Sequence, residues 1–125
     1  MLKRILTSAV ALGLFALPLS AQAMQHNEGN EMTITGQVID VNCYTTQGAH
    51  GAAHKQCAAA CIKAGVPLAI LASDGTIYMA VSSKAADPQN PRLAQFSEDM
   101  VKVTGTHRMV NGLHTIEIKT IEAAS

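Results

Sequence analysis

The spacing of apolar residues changes period several times along this chain, and each change marks an element. Residues 5–17 are a nearly unbroken apolar run, interrupted by Thr7, Ser8 and Gly13. From Met32 the pattern alternates, with Met32, Ile34 and Val38 around a break at Gly36, which predicts a strand over 32–41 ended by Asn42 and Cys43. A glycine there suits the bulge or sharp bend that a small barrel needs. Residues 44–50 (YTTQGAH) read as a polar loop. A helix follows from about residue 51, stopping at Gly65 with Pro67 just beyond.

Downstream the period returns to β. The apolar runs 68–72 and 76–82 are separated by Ser73-Asp74-Gly75, a hairpin turn. Residues 85–92 carry Pro88 and Pro91 and read as a loop. Leu93, Phe96 and Met100, spaced at three and four, predict a short helix over 93–100. Strands over 101–107 and 113–121 then flank Asn111-Gly112, the strongest hairpin signal in the chain. Five strands, with one helix after the first and a short one between the third and fourth, predict an α+β fold. Its architecture is a five-stranded barrel of the oligonucleotide/oligosaccharide-binding (OB) type.

The N-terminal run reads as an address. Lys3 and Arg4 precede it, and Ala21-Gln22-Ala23 follows as a small-x-small cleavage site, so residues 1–23 are expected to be a secretory signal peptide. No other stretch approaches the about 20 apolar residues of a membrane span. The expected product is periplasmic or secreted, with a polar, disordered arm over 24–31 and a single domain over 32–125. Loss of Lys3 and Arg4 leaves seven basic residues against nine acidic ones. That balance, with no Trp, two Tyr and two Phe, argues against a nucleic-acid partner.

The chemistry concentrates in residues 48–65, GAHGAAHKQCAAACIKAG. At about 100° per helical residue, His50, His54, Cys57 and Cys61 fall within an arc of about 60°. Lys55, Gln56 and Lys63 lie opposite, and alanines flank the stripe, so the Cys/His face is expected to point inward. Thiolates and imidazoles suit Zn²⁺ and copper, soft sulfur favouring Cu(I). Cys57 and Cys61, His54 one turn back and Cys43 at the strand end make a three-sulfur, one-nitrogen ligand set, with His50 in reserve. The five methionines beyond the leader fit copper weakly and are explained more simply by core packing.

The competing reading is a disulfide. Exported cysteines normally oxidise, and Cys43 joined to Cys57 or Cys61 would staple the helix to the first strand. Closing a loop of about 15 residues is worth roughly 3 kcal/mol in the chain-entropy account. A Cys57–Cys61 bond is disfavoured, because side chains one helical turn apart meet the required dihedral poorly. Three cysteines leave one thiol over, and that leftover keeps both readings open.

Weaker candidates complete the list. Cleavage after Ala23 would leave Met24 with a free amine two residues before His26, an arrangement that can wrap Cu(II) or Ni(II) in a nitrogen square plane. His107 and His114 flank the Asn111-Gly112 turn and are placed to face each other or a metal. No C-x-x-C, no C-x-x-C-H and no phosphate-cradling glycine loop is present. His54 and Cys57 have the spacing of a base and a nucleophile, without an evident orienting group. Asp87, Glu98 and Asp99 show no paired-carboxylate pattern.

The phrases Ile34-Thr35-Gly36 and Val103-Thr104-Gly105 accompany a longer C-Y…G-x-x-H-x-x-C-x-x-x-C-x-x-x-G-x-P stretch. Cys43, Tyr44, Gly51, His54, Cys57, Cys61, Gly65 and Pro67 carry that stretch. Together they resemble a group of small exported bacterial proteins with OB-like barrels. The resemblance implies the barrel and a central part for the cysteine helix, and implies no particular activity.

The sequence therefore leads to an exported, non-enzymatic protein holding copper or zinc in metal handling or redox homeostasis, exchanging with a metal-delivery or envelope protein. The alternative is a disulfide-stapled OB-like domain that binds a protein or small ligand on its barrel face.

Overall fold

Every alternating stretch becomes a strand in the computed structural model, which describes residues 28–125. The strands are β1 (Asn30–Asp40), β2 (Leu68–Ala72), β3 (Ile77–Val81), β4 (Met100–Val110) and β5 (Leu113–Ala123). They close into a barrel in the order β1-β2-β3-β5-β4, with β3 and β5 parallel and the other pairs antiparallel. This is the small OB-like α+β barrel that the pattern predicts. Among the described residues, no helix is long and apolar enough to cross a membrane.

Alternation fills the interior. Ile34 and Val38, Leu68 and Ile70, Tyr78, Val101 and Val103, and Ile116 and Ile118 bring residues of all five strands into one core. β1 closes the barrel by pairing β4 along residues 30–37 and β2 along residues 36–40. At the changeover sits Gly36, where a Cβ would lie 2.5 Å from the Leu71 carbonyl oxygen, so only glycine lets the strands approach. The bulge itself occurs in β5, where Lys119 is the extra residue opposite the Thr104–Gly105 step of β4.

Three short helices complete the chain: α1 (Val41–Gln47), α2 (Lys55–Lys63), entered through a 3₁₀ turn at Ala52–His54, and α3 (Asn90–Leu93), continued by a 3₁₀ turn at Ala94–Phe96. α1 replaces the strand end and polar loop expected over residues 42–50. Asp40 causes it: its side chain caps the helix by accepting the Cys43 N–H at 3.1 Å. Gly48, left-handed at φ 69°, ends it by donating to the Tyr44 and Cys43 carbonyls.

The short helix expected over 93–100 also shifts, because Pro91 starts α3 in its first turn, ahead of the expected Leu93. Leu93 is fully buried in the core, and Met100 belongs to β4. The Asn90 side chain anchors α3 by accepting the Leu68 N–H at 2.9 Å and donating to the Val66 carbonyl at 2.7 Å. The expected leader, Met24 and His26 lie outside the described residues.

Candidate metal centre

α1 and α2 together present all three cysteines. Cys43 stands in the first turn of α1, Cys57 and Cys61 lie one turn apart on α2, and His54 closes the 3₁₀ turn that leads into α2. Two sets of donor atoms result, each with its atoms within 4.8 Å of one another. One is Cys43, His54 and Cys57; the other is Asp40, Cys43 and Cys61. Cys43 belongs to both. All three cysteines are free thiols.

Burial grades across the cluster. Asp40 is fully buried and His54 is 9% exposed, Cys43 and Cys61 are half-buried, and Cys57 is open to solvent. The inward face of α2 is thus not the Cys/His stripe as a whole. Ala58 is its one buried residue and Ile62 packs on the core, which turns the cysteine edge toward α1. The stripe fails geometrically because the 3₁₀ turn, at about three residues per turn, breaks the 100° phase between His50 and Cys57. His50 lies outside both donor sets: its Nδ1 donates to Gln37 Oε1 at 2.7 Å and its ring meets Tyr44 edge-on at 5.5 Å.

Two carboxylates that the sequence did not mark hold this cluster in place. Glu98 Oε1 accepts a hydrogen bond from His54 Nδ1 at 3.0 Å, and Oε2 accepts the Gly51 N–H at 2.6 Å. The Glu98 backbone is fixed as well, its N–H donating to the Val38 carbonyl at 2.9 Å and its carbonyl accepting from Gln37 Nε2 at 3.0 Å. Glu98 is held at φ 64°, a left-handed conformation that costs a non-glycine residue roughly 1–2 kcal/mol. The surrounding bonds impose that strain. Gly51, at φ 87° and ψ −173°, occupies a region essentially closed to side chains.

With Nδ1–H committed to Glu98, the neutral His54 ring keeps its lone pair on Nε2. That nitrogen is buried and has no hydrogen-bond partner. Asp40 Oδ2 is likewise buried and unpartnered at normal hydrogen-bond geometry, and Ser97 Oγ, beside Glu98, completes the set of such atoms among the described residues. Buried polar atoms are paired in more than about nine cases in ten, and leaving one unsatisfied costs about 1–3 kcal/mol. Two of the three exceptions, on His54 and Asp40, belong to residues of the two donor sets. A carboxylate behind a histidine whose other nitrogen is free is the arrangement that orients a metal-ligating imidazole.

Asp40 and the two inner thiols set one another's protonation. Burial presses the Asp40 carboxyl upward, but the Cys61 and Cys43 thiols and the Cys43 and Asn42 amides outweigh it and hold Asp40 below its ordinary value. Cys61 is pushed up to about 12, first by its thiol's interaction with Asp40 and then by burial. Cys43 is raised by burial and by the Asp40 charge, against the pull of Cys61. A cation binding here takes thiolate ligands and releases their protons.

Elsewhere, His107 and His114 do face each other. His107 Nε2 and His114 Nδ1 are 3.0 Å apart, the rings stack at 14°, and Tyr78 meets both edge-on at 5.5 Å. Burial first, then the charge of His114, lowers the His107 pKa.

Asp40 carried a usable local signal, an Asp three residues before Cys43 in the position of a helix cap. Glu98 carried none, since its partner lies 44 residues away. No protein-family model matches the chain, and no curated protein or solved structure matches it either.

Proposed function

We propose that this protein is an exported metal-binding protein, holding one copper ion through Cys43, His54 and Cys57, with Cys61 and Asp40 on the inner side of Cys43. Zinc is the second ion that the donor set accepts. The observation that carries the reading is the grouping of a His54 ring nitrogen with two sulfurs, on a ring whose Nδ1 is held by Glu98 and whose Nε2 is buried and unpartnered. Two thiolates and an imidazole form a soft site suited to Cu(I). The exposed Cys57 gives an incoming envelope protein a ligand to reach first, which suits metal handling or redox homeostasis by exchange.

Native mass spectrometry tests this reading on protein lacking the leader, purified anaerobically in reductant and offered Cu(I) or Zn²⁺. One ion per chain is expected, with three alkylatable thiols after the metal is removed. A chain that stays metal-free in its reduced form would overturn the reading.

A further inference from the structure

The shared position of Cys43 has a chemical consequence. Its sulfur can ligate an ion or join a disulfide, but not both, and it sits within 4.8 Å of Cys57 in one donor set and of Cys61 in the other. We propose that Cys57 and Cys43 form an entry thiol and a resolving thiol for dithiol–disulfide exchange, and that an external disulfide thereby drives the bound metal out.

Accessibility assigns the roles. Cys57 is the exposed cysteine of the three, so an incoming disulfide meets it first. Cys43 and Cys61 are half-buried, and Cys61 is turned toward the Asp40 carboxylate. Cys61 is also one helical turn from Cys57 on the same helix, where a disulfide has poor geometry. Cys43 comes from a different element and can approach from the side.

The approach is mechanically easy. A disulfide needs its sulfurs at about 2.05 Å, so α1 and α2 must close part of the remaining gap. α1 has seven residues and buries none of them, and no α1 side chain belongs to the barrel core. The Asp40 cap and the Gly48 stop hold its two ends. A shift of α1 toward α2 therefore disturbs capping contacts and leaves the core intact.

The chemistry balances without a further reactant. The Cys57 thiolate attacks one sulfur of the external disulfide, forming a mixed disulfide and releasing the other half as a thiol. The Cys43 thiolate then attacks Cys57 Sγ, forming the Cys43–Cys57 bond and releasing the second half as a thiol. Two protein thiolates are oxidised, and their two electrons leave in the two small-molecule thiolates, which take their protons from solvent. The outer donor set is left with His54 alone and the inner one with Asp40 and Cys61, so the ion departs as a cation.

The release of metal rests on the proposed metal site, whereas the exchange itself does not. Reduced, metal-free protein is therefore incubated with oxidised glutathione, and its products are mapped by mass spectrometry of alkylated peptides. The wild type is expected to yield a Cys43–Cys57 disulfide with two glutathione thiols released per chain. Cys43→Ser is expected to accumulate glutathione on Cys57, and Cys61→Ser still to form the Cys43–Cys57 bond. A persistent glutathione adduct on wild-type Cys57, a Cys43–Cys61 product or no reaction would each overturn the proposal. A parallel Cu(I) titration of the reduced wild type separates the two ideas. Metal binding without exchange removes the exchange pair alone, and exchange without metal binding removes the metal site alone.

Discussion

Glu98 and His54 stand 44 residues apart in the chain and share a 3.0 Å hydrogen bond between Oε1 and Nδ1 in a buried setting. That bond selects the histidine nitrogen left for chemistry. It also ties the turn before β4 to the turn before α2, because the other Glu98 oxygen holds the Gly51 N–H.

Glu98→Gln keeps the shape and removes the charge. The variant is expected to fold and to bind Cu(I) about 10–100-fold more weakly, the usual effect of losing an outer-shell carboxylate. A competition titration against a colorimetric Cu(I) chelator measures it. An unchanged affinity would remove Glu98 from the site.

Gly51→Ala tests the same support from the other side. At φ 87° and ψ −173° an alanine is strained, and the expected loss is of order 1–3 kcal/mol. No atom but Gln37 Nε2, 3.7 Å away, lies near the new methyl, so the loss reflects backbone conformation and not a clash. Urea unfolding of the metal-free protein reads it.

Leu93 enters the core from α3 and is fully buried. Leu93→Ala is expected to cost about 2–5 kcal/mol by lost transfer and cavity formation. The urea midpoint should fall, while a barrel that still closes should bind metal at unchanged stoichiometry.

Glu117 supplies a pH signature remote from the cysteines. The Ser83 hydroxyl and amide, then the Arg108 guanidinium, hold its carboxyl down at about 2 from its ordinary 4.5. A depressed folded-state pKa contributes stability that is fully present above about 4.5 and is lost as pH falls toward 2. Thermal melts of wild type and Glu117→Gln should differ near neutrality and converge near pH 2. A gap independent of pH would contradict the assignment.

The barrel was legible because its signals are local. Asn111 and Gly112, at φ 51° and 84°, adopt the left-handed pair that a tight hairpin demands, and the alternating Ile and Val residues declare which face is inside. α1 was hidden because Val41, Thr45 and Thr46 are β-branched and read as strand or loop. What makes the helix is its two ends, Asp40 and Gly48, and the Thr45 and Thr46 hydroxyls bond back to the Val41 and Asn42 carbonyls at 2.6 Å.

The candidate site was legible in part. Cys43, His54, Cys57 and Cys61 announce themselves by type and spacing, whereas His50 joined them only through an unbroken helical phase that the 3₁₀ turn interrupts. Glu98 could not be found from spacing, because only closure of the barrel brings it to His54.

The most direct test of the metal site is X-ray absorption at the copper edge of reduced protein loaded with one equivalent of Cu(I). The expected shell holds two sulfurs, from Cys43 and Cys57, and one imidazole nitrogen, and the imidazole signal disappears in His54→Gln. A sulfur-only shell, or imidazole scattering that survives in His54→Gln, would contradict the site described here.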